Sequence, residues 1–405
     1  MRNTVKSVVS KTFRMSSVAL FLVTNIAYAQ ESHPLLPEHN RVQPQTVLIG
    51  SWTGQTTNPL AQKAVYPSEG IYRLHLNPDG TLLPLDVIEL TNPSWIVFSR
   101  DHKYAYTTNE SENGEVTALK VTAEGKLKVI NAVSSQGEHP THATLTPDGK
   151  YLLAANYSAT KKNAGFILFP IEAQGKLGEA IQHVPFEKGS GVVAGRQDSG
   201  HAHSVNITPD GKRLFVADLG ADTVHAYRYQ ADSKTPFVAD TAADVHFPAG
   251  SGPRHMTFSP DGKFAYIVTE MGAQIHVYRI GEQGLTEVQT AHLTGSQSEE
   301  DKSGAGILFS PDGKFLYAGN RRNRNEIVAF PVDKKTGKLG EGKAYLAGGI
   351  EPRAFAFDKS GQYMLVANVY SNNVVELYRD TEDGSLKYTG ISVQIGSPTD
   401  VKFLP

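Results

Sequence analysis

The sequence predicts an all-β fold: a seven-bladed β-propeller with four antiparallel strands per blade, its ring closed by strands from both termini. Three observations predict it. A run of about nine residues recurs six times, short alternating apolar stretches flank each copy, and helical periodicity is absent. A chain of 405 residues with 40% apolar and 20% charged residues has enough material for a full core.

The clearest copies are FSPDGKFAY at 258–266 and FSPDGKFLY at 309–317. Looser ones are FSRDHKYAY from Phe98, LTPDGKYLL from Leu145, ITPDGKRLF from Ile207 and FDKSGQYML from Phe357. Anchoring each at its aspartate gives Asp101, Asp148, Asp210, Asp261 and Asp312, with Ser360 as the sixth. The spacings are 47, 62, 51, 51 and 48 residues. Pro-Asp-Gly is a turn: proline presets φ, aspartate caps nearby backbone, and glycine takes the left-handed position. One apolar strand leads into the turn and another leaves it. Two more strand-like stretches follow, such as EVTALKV and KLKVINAV after the first anchor. Four strands per unit of about 50 residues is the pattern of a propeller blade.

Six anchors supply six blades. TVLIGSW, GIYRLHL and LLPLDVIEL near the N-terminus are three outer strands without an inner one. PTDVKFLP at the C-terminus is an inner strand without its second. Together they make a seventh blade, which removes the open sheet edges. The propeller is expected over residues 46–405.

Residues 1–29 read as a signal peptide. Arg2, Lys6, Lys11 and Arg14 precede an apolar run of about ten residues, and Ala27-Tyr28-Ala29 forms a small-x-small cleavage site. The run is well short of the roughly 20 residues that span a bilayer. Cleavage after Ala29 leaves a flexible leader at 30–45 and a periplasmic or secreted protein, with no membrane partner. Removing four basic and no acidic residues leaves 35 basic against 41 acidic side chains, so nucleic acid is not an expected partner. Cysteine is absent, which excludes disulfides, thiolate metal sites and a cysteine nucleophile. A monomer is expected.

Inner strands line the channel of a propeller, so equivalent positions form rings. The residues seven before each anchor are Ser94, Thr141, His203, Arg254, Ala305 and Arg353. Those nine after are Glu110, Tyr157, Leu219, Glu270, Arg321 and Val369. Both sets lie at one end of the inner hairpin, hence near one mouth of the channel. His203, Arg254, Glu270 and Arg321 fall in three consecutive blades and can hold an anion and move a proton. Arg353 and Glu110 sit further round and are candidate substrate-binding residues. The long spacing of 62 marks an insertion at 189–200, GSGVVAGRQDSG, directly before His201. Arg196 in this glycine-rich loop, and His201 beside it, are further substrate-binding candidates.

The polar residues eight after each anchor, Asn109, Asn156, Asp218, Thr269, Asn320 and Asn368, are expected to satisfy backbone groups where hairpins end. His142 and His255 lie six before their anchors, and strand alternation turns them away from the channel. His201, His203, His139 and His142 lack a third ligand at suitable spacing, so no metal is expected. No G-x-S-x-G context supports a serine triad.

The strings HPTHATLTPDGKYLLAANY, GRQDSGHAHSVNITPDGKRLFVADLGAD, SGPRHMTFSPDGKFAYIVTE and SPDGKFLYAGNRR resemble the blade motifs of the lactonase-type seven-bladed propellers. That family includes bacterial 6-phosphogluconolactonases of the cycloisomerase-2 type and fungal carboxymuconate lactonizing enzymes. The resemblance covers nearly all of 46–405. It implies a catalytic set of one histidine, an arginine and a glutamate from the next blade, and a second arginine from the blade after. These fall on His203 in HAHSV, Arg254 in GPRH, Glu270 in IVTE and Arg321 in GNRR. It further implies a lactonase that hydrolyses a small-molecule sugar lactone without a cofactor, 6-phosphogluconolactonase-like. A muconate-type cycloisomerase using the same residues, and a non-enzymatic binding propeller, are the alternatives. Which of His203 and Glu270 is the base stays open at this level.

Overall fold

The computed structural model of the chain describes residues 44–54, 68–158, 163–231 and 233–404. The expected signal peptide and most of the leader lie outside them. Each Pro-Asp-Gly turn behaves as its chemistry dictates. Asp148 Oδ1 accepts from the Lys150 amide at 3.1 Å, and Gly149 takes φ +69°. His102 stands where the first copy lacks glycine and adopts φ +56° itself. A hydroxyl two residues before the anchor tightens the turn: Ser310 Oγ donates to Asp312 and accepts from the Phe315 amide.

Seven antiparallel sheets result, with each chain segment stepping outward strand by strand. Blade 1 runs Pro93–Phe98, Tyr104–Asn109, Glu115–Val121 and Leu127–Ser134. Blade 2 runs Pro140–Leu145, Tyr151–Asn156, Gly165–Pro170 and Gln182–Pro185. Blade 3 begins with Ala202–Ile207 and Arg213–Asp218, and two short strands, Phe237–Ala239 and Val245–His246, share its outer edge. Blades 4, 5 and 6 open with the inner strands Pro253–Phe258, Gly304–Phe309 and Pro352–Phe357.

Blade 7 has the composite order expected from the termini. Pro398–Phe403 is innermost and pairs with Gln45–Ser51, followed by Gly70–Leu76 and Leu82–Glu89. The first of these strands starts at Gln45, one residue inside the expected leader. Apolar side chains fill the spaces between neighbouring blades. Leu153, Leu168, Val205 and Val216 pack between blades 2 and 3, and Val47, Ile49, Leu365 and Val401 between blades 6 and 7. Among the described residues, no helix is long and apolar enough to cross a membrane.

Candidate active site

Every inner strand carries a β-bulge next to its first residue. The register slips across Ser94, Thr141, His203, Arg254, Arg353 and Thr399, and across Ala305-Gly306 in blade 5. A bulge sets two residues against one on the partner strand and re-aims their side chains. The position seven before the anchor falls in this bulge in all six anchored blades, and Thr399 takes the same place in blade 7.

The bulge overturns the expectation for His142 and His255. Alternation holds only in an unbroken ladder, and here both imidazoles point toward the axis beside His203. Trp95, His142 and His255, from blades 1, 2 and 4, meet with ring centroids 4.3, 5.2 and 5.4 Å apart. The His203 ring lies 5.1 Å from that of His255. Lys402 from blade 7 places its ammonium 4.2 Å over the Trp95 ring. Burial and the Lys402 charge push His142 down to about 3.

One level out, Glu270 gathers three guanidiniums. Its Oε2 accepts from Arg254 Nε at 3.1 Å and pairs with Arg321 Nη2 at 3.0 Å. Its Oε1 accepts from Arg196 Nη2 at 2.5 Å. Burial alone would raise the Glu270 pKa, but Arg196, Arg321 and Arg254 together hold it well below the usual carboxylate range. Arg321 is held further by Glu351 Oε1 at 3.1 Å and by the carbonyl of Gly304. Arg254 Nη1 lies 3.3 Å from His255 Nε2.

Arg254 Nη2 and His203 Nδ1 are buried and have no hydrogen-bond partner. An unmatched buried polar atom is costly, so both atoms are poised for a ligand or water. Burial, reinforced by Arg254, drives His203 well below the usual imidazole pKa, so the ring is neutral near pH 7.

The structure thus brings His203, Arg254, Glu270, Arg321 and Arg196 into one cluster. Arg353 and Glu110 pair with each other at 3.3 Å, bridging blades 6 and 1, and Arg353 lies 4.5 Å over the Trp52 ring. His201 is committed to support: its Nδ1 contacts the Tyr157 carbonyl at 2.7 Å, and the Tyr157 ring stacks on it. Two cluster members escaped selection from sequence. Tyr157, nine after its anchor, accepts from Arg196 at 3.3 Å. Glu351 sits nine before its anchor, equivalent to His201, a position whose ring was not considered. Its left-handed φ of +65° aims it at Arg321. The ring eight after the anchor does what local chemistry predicts: Asn109 donates to the Thr91 carbonyl, and Asp218 accepts from the amides of His201, Gly220 and Ala221. Among the described residues, no three His, Asp or Glu side chains are grouped to hold a metal ion.

Known proteins share this architecture along the whole propeller. The family model described as "Lactonase, 7-bladed beta-propeller" matches residues 46–403. A 6-phosphogluconolactonase of Formosa agariphila is 34% identical over 331 residues, which cover 79% of this chain and 91% of that protein. The 6-phosphogluconolactonase of Bacillus subtilis is 27% identical, covering 83% of this chain and 95% of that one. Among solved structures, the periplasmic gluconolactonase of Pseudomonas aeruginosa superposes with a TM-score of 0.82 at 34% identity. That match covers 90% of this chain and 99% of that one. The repeat, the composite seventh blade and these matches agree: the chain belongs to the lactonase family of seven-bladed β-propellers.

Proposed function

We propose that the protein hydrolyses a sugar lactone at this mouth, with aldonolactones, phosphorylated or not, as the substrate class. The observation that carries the reading is the pair of unmatched buried atoms, Arg254 Nη2 and His203 Nδ1, in one cluster. Relatives named 6-phosphogluconolactonase and a neighbour named gluconolactonase support the substrate class.

Two groups could serve as base, and their environments separate them. Both oxygens of Glu270 are occupied by guanidiniums, whereas His203 Nδ1 is left without a partner, so the imidazole is the group placed to take a proton. His203 is neutral, and the negative charge that grows on the substrate raises its proton affinity. In this scheme His203 takes a proton from water as the water oxygen attacks the ring carbonyl. Arg254 donates to the oxyanion, where a preorganised donor is worth most. The ring C–O bond then breaks, and His203 returns its proton to the leaving alkoxide to give the open aldonic acid. Glu270 is a positioning residue: through one oxygen it holds Arg254 and Arg321 side by side.

A pH-stat screen of phosphorylated and unphosphorylated aldonolactones with the mature protein tests the activity. Acid release above the spontaneous rate is expected, and its absence on every lactone overturns the reading. In the same assay Arg254→Ala raises KM and lowers kcat, because an arginine at the carbonyl contacts both the substrate and the oxyanion. A loss of roughly 100-fold in kcat/KM is expected, typical for one oxyanion donor.

The basic start, apolar run and Ala-Tyr-Ala site support export of the protein, and a structural neighbour named as a periplasmic gluconolactonase supports the same reading. N-terminal sequencing of the protein from an extracytoplasmic fraction is expected to begin at Gln30. Recovery from the cytoplasm with Met1 intact overturns the assignment.

A further inference from the structure

The catalytic cluster is almost closed to solvent. His203, Arg254, Glu270 and Arg321 are 4%, 0%, 3% and 1% exposed. Arg196 is different: its side chain is 26% exposed although it is bonded to the same carboxylate. The two oxygens of Glu270 are also unequal. Oε2 is taken by two buried arginines on or beside inner strands, whereas the contact shown at Oε1 is Arg196 from the inserted loop.

That loop is firm at its base and open at its tip. Gln197 is buried and donates to the Leu219 carbonyl at 2.9 Å and to Asp222 Oδ1 at 2.7 Å. The Ser190 amide donates to the Gly220 carbonyl at 2.8 Å. Between these anchors, Gly191 and Gly195 adopt φ +70° and +75°, and a Cβ on either would meet nothing within 4 Å. Val192 between them is 52% exposed. Arg196 directly follows the second glycine. It is therefore the most exposed cation of the cluster, carried by a loop whose tip is open to solvent.

The geometry points to Arg196 as the specificity-determining residue of the site: its guanidinium binds an anionic substituent on the substrate, remote from the ring carbonyl, and in doing so uncovers Glu270. The inference rests on the lactonase reading above and adds how the site tells substrates apart. A phosphate or carboxylate offers Arg196 the same forked acceptor as Glu270 Oε1, but nearer to solvent. The exchange keeps every charge paired. Oε1 then becomes free to accept from a substrate hydroxyl, while Oε2 still fixes Arg254 and Arg321. A neutral lactone offers Arg196 no competing anion, so it must displace the guanidinium without replacing the ion pair. The site thus couples recognition of the anion to access to the reacting atoms.

The test compares three lactones on the wild type, Arg196→Ala and Arg196→Lys: glucono-1,5-lactone, its 6-phosphate, and a glucarolactone bearing a free carboxylate. In Arg196→Ala the ratio of kcat/KM for an anionic lactone over the neutral one is expected to fall by about tenfold or more. Arg196→Lys restores part of that ratio, since it keeps the charge and loses the fork. A fall confined to the phosphate, or to the carboxylate, supports the inference and names the anion. An unchanged ratio overturns it, whether the activities stay high or drop equally on all three lactones. If the wild type hydrolyses none of them, the lactonase reading itself fails, a result distinct from an unchanged ratio.

Discussion

His203→Ala lowers kcat on a hydrolysed lactone by about 100- to 10,000-fold, the range for losing a positioned acid–base group. The ring is neutral, buried and unpartnered at Nδ1, so its removal deletes the proton acceptor without breaking an ion pair. Circular dichroism should therefore show a folded protein with nearly unchanged cooperativity. Glu270→Gln reads differently. It leaves Arg254, Arg321 and Arg196 around a neutral amide, and removing one partner of a buried ion cluster costs roughly 3–5 kcal/mol. Its loss of activity should come with a lower melting temperature, whereas His203→Ala separates chemistry from stability. His255→Ala is no neutral control, because His255 touches both Arg254 and the His203 ring. Full activity of His203→Ala would move the chemistry away from this mouth.

Deleting residues 397–405 opens the ring. The segment supplies the innermost strand of blade 7, paired with Gln45–Ser51 over five residue pairs. It also carries Val401, buried between blades 6 and 7, and Asp400, whose Oδ2 accepts from the Ile96 amide of blade 1 at 2.8 Å. Its loss exposes the Gln45–Ser51 edge and breaks the contact between the first and last blades at once. A fall in melting temperature of roughly 10 °C or more is expected, since several kcal/mol are removed from one cooperative unit. A truncated protein that melts with the full chain would show that the ring does not depend on this closure.

Much of the fold was legible because it is local. Four of the six turns are specified by proline, aspartate and glycine within a few residues, the other two keep part of that pattern, and the strands follow from two-residue alternation around them. The closing blade followed from counting unmatched strands at the two ends. The grouping of the candidate set was legible for a related reason: a repeat converts position in a blade into position in the ring, so His203, Arg254, Glu270 and Arg321 could be placed at one mouth. His142 and His255 were misplaced because the bulge beside each inner strand's first residue breaks the alternation used to orient them. Glu351 was missed because it precedes the strand, and its reach to Arg321 depends on a left-handed backbone that glutamate rarely adopts.

The sequence by itself determined the number of blades, their order, the composite closure and the grouping of four polar residues at one end of the inner hairpins. These depend on spacing and on interactions within a hairpin, which a linear chain encodes directly. Tertiary structure alone decided which groups are charged, covered and free. Arg196 reaches Glu270 across 74 residues of sequence, and Arg353 reaches Glu110 across 243. The pairing of the guanidiniums with the carboxylates of Glu270 and Glu351, and the isolation of His203 Nδ1, exist only once neighbouring blades exclude water. Burial sets the strength of every electrostatic term in the site, and burial is a property of the closed ring, not of any one repeat.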